Sequence, residues 1–171
     1  NSISKDFLRT TKKIPMLNNL EVANTYSQLV AHVILVVKFR KKLITPDWEV
    51  KLHKYITGII TQKGQKLLAI NGTSDHLHLL IGIKPDCMLS DLIREVKKSS
   101  NSFINENRLA EEHFYWQKGF AAFSKDRKRL DGVIQYIVNQ KVHHGTVTLE
   151  DEYVAILKQE KVQYEERYLF D

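Results

Sequence analysis

Residues 74–83 read SDHLHLLIGI, with His76 and His78 separated by a single leucine. On a β-strand, residues two apart point to the same face and stand about 7 Å apart along the backbone. Two imidazoles so placed can converge on one metal ion. The alternative is a pair of polar residues on the wet side of an ordinary strand, since Leu77, Leu79, Ile81 and Ile83 make a core stripe on the opposite side. Asp75 next door could support an imidazole or add a further acidic group to a site. Two ligands are not a site, so a third must come from elsewhere in the chain. A second stretch, RLDGVIQYIVNQKVHHG (Arg129 to Gly145), has helical periodicity. Leu130, Val133, Ile134, Ile137 and Val138 form its apolar stripe, and Tyr136 lies roughly 120° from the middle of that stripe at 100° per residue. Arg129, Gln140 and His143 fall near Tyr136. The tyrosine either faces a site or is a boundary residue resting on a neighbour. Gly132 sits one turn earlier and costs about 1 kcal/mol relative to alanine in a helix. Close approach of another backbone or of a ligand would account for it.

The elements that must carry these residues are legible in the pattern. LVAHVILVVKF (Leu29 to Phe39) is nearly continuous β-branched sequence, as in a strand buried on both faces. A basic cluster follows. Thr45-Pro46-Asp47 opens a helix with Trp48, Leu52, Tyr55, Ile56 and Ile59 on one side, fading near Gly64. QKLLAINGTS and HLHLLIGIK read as two antiparallel strands joined by a turn at Asn71-Gly72 or at Ser74-Asp75. From Leu89 the period switches to that of a helix, with Leu92, Ile93, Val96, Phe103 and Ile104 on its apolar side. HFYWQKGFAAFSK suits a final strand, a helix is predicted from Asp126 to His144, and another from Leu149 to Lys161. This order predicts an α+β fold, a ferredoxin-like (RRM-like) antiparallel sheet with helices on one face and an added C-terminal helix carrying Tyr136.

A chain of 171 residues, 43% hydrophobic and 27% charged, supports one domain with its own core. We expect residues 23–171 to form it. Residues 1–22 lack clear periodicity and are expected to be an extension, non-native or disordered. Cys87 has no partner for a disulfide or a cysteine-based zinc site, which predicts a reducing, cytoplasmic setting. No apolar run approaches a membrane span. The net charge of +6, of which +4 remains outside the extension, favours a polyanionic partner. Three basic groups could meet phosphates, and two of the three are expected to do so. They are Lys38, Arg40, Lys41 and Lys42; Arg94, Lys97 and Lys98; and Lys125, Arg127, Lys128 and Arg129. His32, His143 and His144 are expected to be structural or peripheral.

Taken together, SDHLHLLIGIKPDCMLSDLIREVKKSSNSFI, then WQKGFAAFSKD, then VIQYIVNQKVHH resemble the single-tyrosine HUH transposases. That family includes insertion-sequence enzymes moving single-stranded DNA and relatives acting on repetitive palindromes. HVILVVKFRKKLI resembles the family's first strand with its basic end, and DEYVAILKQEKVQYEERYLF resembles the C-terminal segment of some members. The resemblance spans Asn24 to Asp171. It implies that His76, His78 and Gln140 bind a divalent metal, Mg²⁺ or Mn²⁺, and that Tyr136 is the nucleophile. The implied reaction cuts and rejoins hairpin-bearing single-stranded DNA through a 5′-phosphotyrosine, and it needs no ATP because the bond energy is conserved. It also implies a homodimer in which the tyrosine helix is able to serve the partner's histidines. Such chemistry wants a cation, because a phenol with a pKa of about 10 is a poor nucleophile at neutral pH. The competing reading is a non-catalytic single-stranded nucleic-acid-binding domain on the same sheet. A histidine-based hydrolase fits less well, since the chain has no second His-x-His motif.

Overall fold

The computed structural model describes residues 26–170, so the expected extension at 1–22 lies outside the described residues. Four strands, β1 (Leu29–Val36), β2 (Lys66–Gly72), β3 (His76–Ile83) and β4 (Ala121–Ser124), form one antiparallel sheet in the order β2-β3-β1-β4. With α1 (Pro46–Gln62) and α2 (Leu89–Glu106) crossing between strands, this is the ferredoxin-like arrangement. The added helices are α3 (Leu130–Val138), α4 (Gln140–His143) and α5 (Leu149–Gln159).

The alternation of β1 and β3 divides the core. Ala31, Val33, Leu35, Leu77, Leu79 and Ile81 face α1 and α2, where Leu52, Ile56, Ile60, Ile93 and Ile104 are buried against them. The other face would be open in a bare ferredoxin-like sheet. Here Val30 and Leu80 pack under Leu130 and Ile137 of α3. Ile34, Val36 and Phe123 pack under Leu149 and Leu157 of α5. Each such side chain contributes about 1.5–3 kcal/mol when fully buried, which is enough to hold short helices that are marginal in isolation. The histidine face is therefore an interior layer.

The structure refines several expected elements. The turn falls at Thr73–Asp75, the second of the two candidate positions. Gly72, paired with Leu77 across the ladder, sits so close that a Cβ there would overlap the His76 carbonyl oxygen and lie 2.9 Å from Leu77 Cα. Backbone cannot yield as a flexible side chain does. Gly72→Ala is therefore expected to destabilise the fold by about 1–3 kcal/mol and to displace His76, as read by thermal denaturation.

The expected final strand over residues 113–125 shrinks to β4 plus one bridge between Val37 and Trp116. Its first half is instead pinned to α2. The Asn105 side chain bonds both backbone groups of Phe114, and Lys97 Nζ donates to the carbonyls of Gln117 and Gly119 at 2.5 and 2.7 Å. The single helix expected from Asp126 to His144 is a 3₁₀ turn (Arg127–Arg129) followed by α3 and α4, interrupted at Asn139. At the interruption Asn71 Nδ2 donates to the Val138 carbonyl at 2.7 Å, tying the helix end to β2. The close backbone approach considered for Gly132 is absent. A Cβ there would meet nothing within 4 Å, and the residue borders a cleft instead.

Candidate active site and metal centre

β3 delivers His76 and His78 to the face covered by α3–α5, and both side chains are fully buried. Each ring is fixed from behind through Nδ1. His76 Nδ1 lies 2.7 Å from Asp75 Oδ1 and 3.0 Å from Thr73 Oγ1, so the turn residues hold it. Burial alone would raise the Asp75 carboxyl, but the hydrogen bonds from His76 and Thr73 hold it below the usual carboxylate value. His78 Nδ1 lies 2.8 Å from His32 Nε2 on β1, with the two rings stacked. Burial pushes His78 down to about 4 and His32 down to about 3, so both are neutral imidazoles at physiological pH. Neutral imidazole is the ligating form.

Both Nε2 atoms are left pointing inward. His78 Nε2 is buried without a hydrogen-bond partner among the described residues. His76 Nε2 faces Gln140 Oε1 at 3.3 Å. With Asp75 holding the hydrogen at Nδ1, that contact sets a lone pair against a carbonyl oxygen. The amide's orientation follows from its other end, since Gln140 Nε2 donates to Glu152 Oε1 at 2.9 Å. Gln140 is fully buried at the start of α4. Lys141 next to it pairs with the buried Glu49 of α1 at 2.5 Å and fastens α4 to the other layer.

Tyr136 reaches the same place from α3. Its ring lies edge-on to His78 at 5.7 Å and to His32 at 6.3 Å, and its hydroxyl donates a hydrogen bond to Glu152 Oε1. Burial, and then the Glu152 carboxylate, push the phenol well above its ordinary value. The tyrosine helix thus packs on the histidine pair of its own chain, with Leu130 and Ile137 as anchors.

Three residues enter the site that the pattern did not mark. Glu152 of α5 is almost fully buried, and its Oε2 lies 2.8, 3.4 and 3.6 Å from the Nε2 atoms of His144, His78 and His76. Burial favours its neutral form, but the adjacent His78 ring at 3.4 Å and the donors Tyr136 and Gln140 outweigh this and keep it ionised. His144, expected to be structural or peripheral, has Nδ1 on the Val147 carbonyl at 2.8 Å and Nε2 on Glu152. His32 is the brace behind His78. Ligand atoms of His76, His78, His144 and Glu152 all lie within 4.8 Å of one another. His32 sits in the apolar run of β1 and Glu152 on an amphipathic helix of ordinary charge pattern, so neither carries a local signal. An electron-rich, desolvated group of imidazoles, an amide oxygen and a carboxylate matches what a divalent cation takes.

Clefts open on both sides. One, of about 710 Å³, is bordered by Tyr136, Glu152, Gly132, Lys125, Lys128 and Arg129. The other, of about 890 Å³, is bordered by Asp75, His144, Phe39, Arg40 and Lys42. Two of these cations are already paired, Lys125 with Glu160 and Arg40 with Glu150, and Lys41, outside the cleft linings, pairs with Glu112. The α2 group lies across the sheet from Tyr136. There Lys97 is held by backbone carbonyls, Arg94 bonds Asp91 at 2.6 Å, and Lys98 borders a separate surface hollow.

The sequence and the fold have counterparts among known proteins. The ISDra2 transposase TnpA of Deinococcus radiodurans is 23% identical over 118 residues, covering 66% of this chain and 84% of that protein. A crystal structure of a transposase from Deinococcus radiodurans R1 superposes with a TM-score of 0.56 at 21% identity, covering 70% of this chain and 96% of that one. The structure of a REP-associated tyrosine transposase bound to a REP hairpin gives 0.57 at 18% identity, covering 74% and 75%. The model of the family described as "Transposase IS200 like" matches residues 25–140, from the start of the sheet through Tyr136 and Gln140. The chain therefore belongs to the IS200-like transposase family.

Proposed function

We propose that this transposase cleaves and rejoins hairpin-bearing single-stranded DNA, with Tyr136 as nucleophile and a divalent cation, Mg²⁺ or Mn²⁺, held by His76, His78 and Gln140. The observation that carries the reading is the inward convergence of His76 Nε2, the unpartnered His78 Nε2 and Gln140 Oε1 beside the Tyr136 phenol. When bound, the cation would supply Lewis acidity at the scissile phosphate and lower the cost of phenolate.

The rest falls to the protein. The Tyr136 oxygen attacks phosphorus in line, its hydroxyl oriented by the Glu152 carboxylate that accepts its hydrogen bond and its proton passing to water. A phosphotyrosyl bond forms at the 5′ side while the bond to the 3′ oxygen breaks. That oxygen takes a proton from water and leaves as a 3′-hydroxyl. Reversal by an incoming 3′-hydroxyl reseals a strand. Asp75 and His32 keep the imidazoles oriented throughout.

Of the basic groups, Lys125, Lys128 and Arg129 border the cleft on the tyrosine side, with Arg127 in the same turn. Lys38, Arg40, Lys41 and Lys42 flank the exposed Phe39 in sequence, with Lys38 Nζ 5.0 Å from its ring, and Phe39 is an aromatic suited to stack on an unpaired base. We assign phosphate contacts to these two groups, and the hairpin-bound relative supports a hairpin as the substrate class. Arg94, Lys97 and Lys98 are distant from the tyrosine. Tyr136 and the two histidines lie together within one chain, the homodimer rests on family resemblance, and light scattering at micromolar concentration decides it. No described helix is long and apolar enough to cross a membrane.

The test is direct. Labelled hairpin DNA incubated with protein and Mn²⁺ is expected to give a protein–DNA band that survives a denaturing gel and is absent with chelator. Retention on a native gel without any attached product would instead establish a binding module.

A further inference from the structure

The metal ligands proposed above come from β3 and α4 and are electrically neutral. Two imidazoles and an amide oxygen hold a divalent cation weakly, because none offsets its charge. The structure supplies the missing anion from outside the segment matched by the family model, which ends at residue 140. Glu152 stands on α5, and its carboxylate divides its two oxygens between two tasks. Oε1 accepts hydrogen bonds from the Tyr136 hydroxyl and Gln140 Nε2. Oε2 receives no such donor from the tyrosine or the amide and is directed at the histidines, 3.4 Å from His78 Nε2 and 3.6 Å from His76 Nε2.

These contacts are too long for good hydrogen bonds between imidazole and carboxylate. The hydrogens at His76 are also on the wrong nitrogen, because Nδ1 is taken by Asp75. Nε2 and Oε2 are then lone pairs facing one another across a gap. Gln140 Oε1 adds a third lone pair at 3.3 Å from the same His76 nitrogen. A cation in that gap turns mutual repulsion into coordination. The backing of Glu152 is equally specific, since His144, its Nδ1 fixed on the Val147 carbonyl, sits 2.8 Å from Oε2 and sets the rotation of the carboxylate. Leu149 and Leu157, buried one face of α5 against Ile34 and Phe123, hold the helix that presents Glu152.

We propose that Glu152 Oε2 is the anionic ligand of the divalent-cation site, with His144 as its positioning residue, so that α5 completes a centre of two histidines and one carboxylate joined by Gln140. The inference rests on the metal site of the proposed function. It also explains why a carboxylate is buried among imidazoles, where a structural role would be served as well by a neutral side chain.

Mn²⁺ binding to the full chain, followed by titration calorimetry and by the loss of free-Mn²⁺ paramagnetic resonance signal, tests it without any DNA. Glu152→Gln is expected to weaken Mn²⁺ by tenfold or more, at least the about 10–100-fold typical of losing a supporting partner. Arg94→Ala, on α2 across the sheet from the site, should keep affinity within about twofold of wild type. If wild type binds, the double variant His76→Ala/His78→Ala does not, and Glu152→Gln matches wild type, then Glu152 is no ligand while the histidine centre stands. If wild type fails to bind Mn²⁺ at all, the metal site itself falls. Should Glu152→Gln lose its folded circular dichroism, anomalous scattering from Mn²⁺-soaked wild-type crystals decides. A peak bonded to a Glu152 oxygen supports the assignment, and a peak on the two histidines with the carboxylate outside the coordination shell overturns it.

Discussion

Tyr136→Phe is expected to abolish the covalent protein–DNA product while leaving hairpin binding intact. The substitution removes one oxygen, the atom proposed to attack phosphorus, and leaves the ring against His78 and His32. Loss of a covalent nucleophile costs roughly 10⁴–10⁶-fold in rate, so no attached band should appear on a denaturing gel at any practical enzyme concentration. The same change takes a hydrogen-bond donor from Glu152, which keeps Gln140 Nε2 at 2.9 Å and His144 Nε2 at 2.8 Å. Loss of one bond to a charged acceptor therefore lowers stability by about 1–2 kcal/mol, towards the small end of the range for such bonds. Native-gel affinity for the hairpin should stay within about threefold, under 1 kcal/mol, because the cationic borders of the clefts are untouched. An attached product made by the variant would assign the nucleophile to another residue.

The second large effect is expected from His78→Ala. His78 is fully buried, its Nδ1 partnered by His32 and its Nε2 open towards the site. Wild type with Mn²⁺ at one hundred times its dissociation constant gains about 2.7 kcal/mol of stability by mass action. For a chain of this size that corresponds to a rise in melting temperature of roughly 5–10 °C. The variant should show none of that rise. It should also melt below wild type without metal, because it leaves a cavity and an unpartnered His32 nitrogen. Differential scanning calorimetry with and without Mn²⁺ measures both. A metal-dependent rise equal to that of wild type would remove His78 from the centre. His32→Ala separates bracing from ligation, because it leaves the inward Nε2 in place. It should weaken Mn²⁺ by about 10–100-fold without eliminating binding.

Much of this protein could be read from the order of its residues because the relevant signals are local. The β-branched run at Leu29–Val36, the proline at the start of α1 and the apolar stripe of α2 each report a short-range periodicity, and together they predict the ferredoxin-like sheet that is observed. A one-residue spacing on a strand places His76 and His78 on one face, and helical geometry keeps Tyr136 and Gln140 on one side of their segment. Boundaries were less legible. The interruption at Asn139 is tied to the Asn71 amide, which bonds the Val138 carbonyl 67 residues away in the chain, and the shortened β4 to contacts with α2.

What only the tertiary structure decided is the environment of these residues. Two imidazoles on a sheet face are wet or buried according to what covers that face, and here α3 and α5 cover it through Leu130, Ile137, Leu149 and Leu157. The same packing brings the tyrosine to the histidines of its own chain and carries Glu152 and His144 to them. Those two belong to segments whose local pattern is an ordinary amphipathic helix and the end of another. Their roles come from distances between elements remote in sequence, and a linear pattern carries no such distances. Charge, spacing and periodicity state which side chains could do chemistry; the burial of apolar surface between layers determines which of them meet.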